Sequence, residues 1–392
     1  MIRPFSNDCL AFPGKTRVSG HDASDCNVGR SKLDRLKQTV IVGVSLNNLS
    51  GITGRGYSVA DVIKEAREAE AMGFDAVWVH DAPQGRRTVA AFDPIPVLSA
   101  IASVTNRVLL CTGIIAPHLR NPISLAATWA AMDEISGGRS VMGVGTGAGK
   151  PTLVRRQFAA AAALNSGNAA LGEQLYEARG RVFEECLEII RLLWREDKVS
   201  YRGQYYSFSD VTLGDARPAT PPPILIGAGN YYPRAIGGPV HHDWKMEKAG
   251  TYRLGPYKRI SRLGEGWITP HATPDEYSEA WKRIEQTLSQ EQQAGFVKAF
   301  NAFVNVDNNE TQGWTEVRDH LERFHGPPVG DDVVDRWAIA GAPEKIAARL
   351  QQYIDAGTSV FQLVIGSHDQ HGQMKLLAER VLPLLKYVPK VP

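Results

Sequence analysis

Apolar and polar positions along this chain alternate between two periods. Short runs that are apolar on both faces occur at 40–44, 76–79, 108–113, 141–144, 224–227, 266–268, 303–306 and 361–365. Such runs are what buried parallel strands require. Between them, apolar residues recur at helical spacing. Val62, Ile63, Ala66, Ala69 and Met72 follow a Ser58/Asp61 capping box, and Leu175, Val182, Phe183, Cys186, Leu187, Ile190, Leu193 and Trp194 form a longer stripe. Further helices are predicted over 94–104, 122–135, 277–288 and around Ile346, Leu350, Tyr353 and Ile354. Gly73 and Gly357 end two of these helices at the same spacing from the next strand. Eight strands separated by helices predict an α/β fold, a (β/α)8 TIM barrel; a doubly wound open sheet is the alternative. Two stretches break the rhythm and read as insertions after strands four and five, an alanine-rich one at 158–172 and an aperiodic one at 230–254. A small hairpin is expected at 201–206. Residues 1–38 hold no period and read as a poorly ordered tail before a single barrel domain, 39–392.

Charge narrows the partners. With 44 basic and 42 acidic residues the net charge is +2, so neither nucleic acid nor an anionic membrane surface is expected as a partner. Cys9, Cys26, Cys111 and Cys186 are scattered and form no CxxC pair, which predicts a reduced, cytoplasmic setting and neither a disulfide framework nor a zinc site. No apolar run approaches the roughly 20 residues that span a bilayer, and the N-terminus lacks the order of a signal peptide.

Barrel active sites lie at the C-terminal ends of the strands. Those positions hold Asn47 and Asn48, His80 and Asp81, then Gly113, Ile114, His118 and Arg120. Strand four contributes Thr146, Gly147 and Lys150; later strands contribute Gly227, Gly229 and Asn230, Thr269 and His271, and His368, Asp369 and His371. Carboxylates are scarce and glycines abundant. Glycines let bulky groups approach bare backbone, whose N–H groups bind anions. That balance suits holding a large cofactor better than building acid–base machinery from side chains. Plainer readings stand beside these: Asp81 as a cap, His80 as a satisfied core histidine. The run from Gly143 to Ala148 fits GxGxxA, but Pro151 opposes the helix that fingerprint needs, and also replaces the Ser/Thr that would make Lys150 a Walker lysine. His241-His242-Asp243 and the stretch from His368 to His371 invite a metal, yet no third ligand stands at a recognisable spacing. No GxSxG elbow is present.

Several segments together resemble one family, the bacterial-luciferase-like superfamily of flavin- and deazaflavin-dependent oxidoreductases, over nearly all of 40–386. They are Gly73-Phe74-Asp75-Ala76-Val77-Trp78-Val79, Asn106-Arg107-Val108-Leu109-Leu110, Arg120-Asn121-Pro122, Asp133-Glu134-Ile135-Ser136-Gly137-Gly138-Arg139, Gly143-Val144-Gly145-Thr146-Gly147 and Gly264-Glu265-Gly266-Trp267-Ile268. The resemblance implies a barrel with an elongated cofactor pocket near Asn47. The ring would lie against a backbone bulge after strand three, in the deazaflavin branch a non-prolyl cis peptide at Gly113-Ile114. The cofactor phosphate would rest on N–H groups around Gly145, Thr146, Gly147 and Lys150 and on the loop with Gly227 and Gly229, with Gly255 and Pro256 opening the next helix. Gly145-Thr146-Gly147 and Gly366-Ser367-His368-Asp369-Gln370 look more like users of coenzyme F420 than of FMN, which is the alternative. Two departures matter: Ala82 follows Asp81 where the family's sugar-phosphate dehydrogenases have histidine, and Ala148 stands at their glutamate. The resemblance therefore implies hydride transfer from reduced F420 to a C=C, C=N or activated carbonyl of a small-molecule substrate. The single proton needed would come from Asp81, His80 or His118. An FMN-dependent monooxygenase and a non-catalytic flavin-binding paralogue are the alternatives. Substrate would enter between the insertions, under Tyr231, Tyr232 and Trp244, and the family pattern implies a homodimer.

Overall fold

In the computed structural model, the residues described are 36, 40–50, 58–81, 90–146, 174–227, 254–270, 272–325 and 329–386. Eight parallel strands form the wall: β1 (Ile41–Ser45), β2 (Ala76–Val79), β3 (Leu109–Thr112), β4 (Ser140–Gly145), β5 (Ile224–Gly227), β6 (Gly266–Thr269), β7 (Val297–Val306) and β8 (Val360–Ile365). Their hydrogen-bonded order follows the chain, β1 pairs with both β2 and β8, and the β6–β7 pairing closes the ring. Closure excludes the open sheet.

Helices pack outside: α1 (Val59–Ala71), α2 (Pro94–Ala102), α3 (Pro122–Ile135), α4 (Arg179–Arg195), α5 (Leu254–Leu263), α6 (Pro274–Glu285), α7 (Glu310–His325) and α8 (Pro343–Asp355). Their starts are written locally. Ser58 and Asp61 make the reciprocal box on α1, and Asp93 and Asn121 cap α2 and α3 just before a proline at the first helical position. Their ends are too. Gly73 and Gly357 both adopt φ +96°, and the N–H after each bonds five residues back, Phe74 to Ala69 and Thr358 to Tyr353. Only glycine takes that backbone without steric cost, so both helices close in the same way before re-entering the sheet.

Strand faces sort into two cores. Trp78, Leu109, Cys111, Val141, Leu225 and Ala299 fill the barrel interior, while Val77, Leu110, Met142, Ile226 and Leu363 pack outward on the helices. The strand ends nearest the helix C-termini are stapled by polar groups. Arg139, buried, donates five bonds: to the carbonyls of Ala102, Thr105, Val108 and Ser136 and to Thr105 Oγ1. The N–H groups of Asn106, Arg107 and Val108 converge on the Glu70 carboxylate, and these bonds hold it below its usual range against the opposing effect of partial burial. Glu265 accepts from Ile224 N and from Arg191. Three segments that carry the family resemblance thus secure the floor of the barrel.

Two expectations needed correction. Strand seven begins at Val297, not 303, because Lys298 masks its alternation: that side chain lies over the Trp281 ring, 4.0 Å from its centre, and shields an outward strand position. A short ninth strand, Ala338–Gly341, pairs with the upper half of β7. The hairpin exists but spans Val199–Arg202 and Ser207–Val211. Both expected insertions fall largely outside the described residues, as does the tail apart from Leu36.

Candidate active site

At the C-terminal mouth, polar side chains converge on the ends of β1, β2, β3 and β8. Asn48, fully buried, clamps the first two: its Nδ2 donates to His80 O at 2.7 Å and to Phe92 O at 3.1 Å, and its Oδ1 accepts from His80 N at 2.8 Å. Asn47 beside it is 7% exposed; its N–H reaches Glu65, but its Nδ2 has no hydrogen-bond partner among the described residues. A buried donor left so is one an incoming polar group would satisfy.

The Gly113-Ile114 peptide bond is cis, as the resemblance implied for the deazaflavin branch. Gly113 O meets His80 Nδ1 at 3.0 Å. A carbonyl only accepts, so Nδ1 carries the hydrogen and a neutral His80 keeps its lone pair on Nε2. Below Gly113 lies the Gln362 amide, which donates to Ser45 Oγ at 2.9 Å and occupies the place a Cβ at 113 would take.

The glycines of strands four and five do something unexpected. A Cβ at Gly145 would collide with Ile114 Cδ1, one at Gly227 would crowd the same atom at 3.1 Å, and one at Gly143 would strike Thr112 O. These positions seat the Ile114 side chain inside the barrel, so strand three presents main chain at the mouth. Gly145 N–H is taken by Ile115 O at 3.0 Å, so it is not available to a phosphate. Any such cradle begins at Thr146, half-buried at the strand end; Gly147, Lys150 and Gly229 lie outside the described residues. Gly255 and Pro256 fall in the first turn of α5.

Two of the expected proton donors are otherwise engaged. The Asp81 carboxylate, 1% exposed, accepts two bonds from Arg120 (2.8 and 2.9 Å) and one from Ala116 N (3.0 Å). All three bonds come from groups of the strand-three loop, so the carboxylate is committed to holding that loop and is not turned to the mouth. Burial alone would lower the Arg120 pKa; Asp81 and then Asp93 outweigh that and raise it. His118, 5% exposed, packs edge-on against Phe183. Burial, then the charges of Arg179, Arg259 and Arg120, depress its pKa to about 3, so the ring is neutral near pH 7 and lacks the imidazolium proton a general acid would give up. His80 alone of the three faces the mouth.

Sequence reasoning missed His320. It sits on α7, buried, and with Ser45, Asn47, His80, Val364 and Gln370 lines a pocket of about 10 Å³, room for one water-sized group. The sequence signal was its place on the same helical face as Val317 and Leu321, both fully buried. Gln370 is oriented by bonds to Ile365 O and Ser367 O. Asp369 caps the helix Gln370–Leu376, His371 pairs with Glu68 at 2.9 Å, and His368 lies 3.4 Å from Asp319. The stretch from His368 to His371 therefore builds a helix start. Among the described residues no three His, Cys, Asp or Glu are grouped to hold a metal ion. No helix there is long and apolar enough to cross a membrane.

Residues 41–237, half of the chain, match the model of the luciferase-like monooxygenase family. The chain belongs to this family. Among curated proteins of the kind, it is 29% identical over 338 residues to an F420-dependent glucose-6-phosphate dehydrogenase of Amycolatopsis mediterranei, covering 84% of this chain and 96% of that one. A protein of the same name from Kineococcus radiotolerans is 28% identical, with 82% and 91% covered. Among solved structures, an F420-dependent secondary alcohol dehydrogenase superposes with TM-score 0.67 at 19% identity, over 88% of this chain and 99% of that one. The oxygenating constituent of 3,6-diketocamphane monooxygenase from Pseudomonas putida, an FMN complex, superposes with TM-score 0.61 at 14% identity, over 89% and 99%. Luciferase-like family members share the barrel described here.

Proposed function

We propose that this luciferase-like protein is an oxidoreductase that transfers hydride between coenzyme F420 and a small organic substrate, acting as a reductase of a C=C, C=N or activated carbonyl. The observation that carries the reading is the main-chain shelf at Gly113 and Ile114. With the Ile114 side chain sunk between Gly145 and Gly227, a flat ring can rest there on backbone atoms. The residues present fit such a group. Gly113 and Ile114 would support the ring, and the chain from Thr146 onward would hold the anionic tail. When bound, F420 supplies two electrons as a hydride. Support for F420 over FMN comes from the curated relatives, which are named for it across more than four-fifths of the chain. Asp81, committed to Arg120, fixes the β2 loop against the segment after β3 and so shapes the mouth.

The relatives' names do not carry glucose 6-phosphate to this chain. Ala82 and Ala148 replace the histidine and glutamate that the resemblance associates with sugar-phosphate oxidation. Without that pair a reductive direction, which needs one proton, is the better match. The buried free thiols of Cys111 and Cys186 accord with a cytoplasmic setting, and the family pattern with a homodimer.

Titration of the purified protein with F420 and with FMN, read by absorbance and by retention through gel filtration, tests the cofactor. F420 is expected to be retained and FMN released. Rapid oxygen consumption with reduced FMN, and none of the ligand retention expected for F420, would point instead to a monooxygenase.

A further inference from the structure

Three features of the pocket at the ends of β1, β2 and β8 are unused by the reading above. Its cavity of about 10 Å³ has room for one oxygen-sized atom. Asn47 lines it, more than nine-tenths buried, and its Nδ2 has no hydrogen-bond partner among the described residues. His320 reaches it from α7, tilted against the Phe303 ring with centroids 5.8 Å apart. His80, its hydrogen fixed on Nδ1 by Gly113 O, forms the wall next to the shelf.

We propose that His320 is a catalytic residue which, together with Asn47 Nδ2, receives the carbonyl oxygen of the substrate in this niche. The proposal rests on the hydride-transfer reading and narrows its substrate class to a ketone or aldehyde. A hydride from the reduced cofactor forms the new C–H bond at the carbonyl carbon, and the C=O π pair moves onto oxygen. Asn47 and the His320 N–H donate to that oxygen as its charge grows. The oxygen would then take one proton from water, leaving hydroxide to the solvent, so that carbonyl, hydride and proton become an alcohol while the cofactor would be oxidised by two electrons. Donors preset toward developing charge in a narrow niche need no reorganisation.

The state of His320 suits a donor that stays neutral. Burial, then His80 and His368, with Arg323 adding and Asp319 opposing, depress its pKa to about 3. A neutral imidazole can polarise a carbonyl by hydrogen bonding without carrying charge.

The test uses the full chain with [15N]histidine, loaded with oxidised F420 and exposed to acetone, cyclohexanone or 2-cyclohexenone as probes. At least one probe should shift the His320 ring nitrogens, assigned by their loss in His320→Phe, and the shift should weaken in Asn47→Leu. With reduced F420 and a turned-over carbonyl, His320→Phe should lower kcat about 100-fold, and His320→Gln, which keeps an N–H, should recover much of it. The F420 Kd should stay within about twofold in all variants. F420 bound with His320 unmoved by every probe overturns the proposal alone. A loss of F420 affinity in His320→Phe at unchanged melting temperature assigns the residue to the cofactor and also overturns it. Failure of the unmodified protein to bind F420 overturns the functional reading, and this proposal with it.

Discussion

His118 and Asp81 show how burial decides what a titratable side chain can do. Each stands where a barrel enzyme keeps its chemistry, yet Asp81 is committed to Arg120 and Ala116 N, and His118 is buried within reach of the positive charges of Arg179, Arg259 and Arg120. The His118 shift has a consequence for stability. Its pKa falls from 6.5 unfolded to about 3 folded, so between those values the unfolded chain binds the extra proton. Stability then rises with pH across that window and is lost as pH falls through it. His320 behaves likewise. Each contributes at most ~1.4 kcal/mol per pH unit. His118→Phe should therefore lose about 1.6 kcal/mol less than the unmodified chain between pH 6.5 and 5, as read from urea midpoints at the two pH values. Equal losses in both proteins would refute the assignment. At this scale the sequence was only partly legible. His80 and Gly113 could be placed at the mouth from strand ends alone. That Asp81 is locked could not, because Arg120 lies 39 residues away and the pairing exists only once β2 and β3 are neighbours. His320 lies mid-helix among charged residues, and nothing local says that α7 reaches the mouth.

Among the elements, the turns between helix and strand were the most readable, because their signals are local. The Ser58/Asp61 box, the prolines after Asp93 and Asn121, and the paired Gly73 and Gly357 each fix a boundary within a few residues. The loop from α3 into β4 has a longer reach. Gly137 and Gly138 take φ +64° and +82°, which returns the chain so that Arg139 points under α2 and β3. Arg139→Ala would leave the carbonyls of Ala102, Thr105, Val108 and Ser136 without their shared donor. A loss of about 3–5 kcal/mol is expected, as for the breaking of buried charged networks, measured by chemical denaturation. An unchanged midpoint would mean that water replaces the guanidinium without penalty. The glycines within β4 and β5 do exclude side chains, but the group they admit is Ile114. Sequence spacing cannot distinguish a slot for a ligand from a slot for a neighbour thirty residues upstream.

For the whole molecule, alternation of strand and helix pointed to a barrel but left an open doubly wound sheet as its rival, and only the pairing of β6 with β7 decides between them. What the alternation hid was the double life of β7. Val297 to Phe300 pair with β6 and complete the ring, whereas Phe303 to Val306 pair on that same side with Ala338–Gly341. The upper pairing is peripheral to the closed wall, so its amides should exchange with deuterium faster than those of the lower half. Uniform protection along the strand would show one cooperative unit. Closure of the cylinder and attachment of α7, which carries His320 to the pocket, are thus delegated to different halves of one strand. A lineage could therefore exchange that outer attachment, and with it the side chains it brings to the pocket, while the closed wall stays intact.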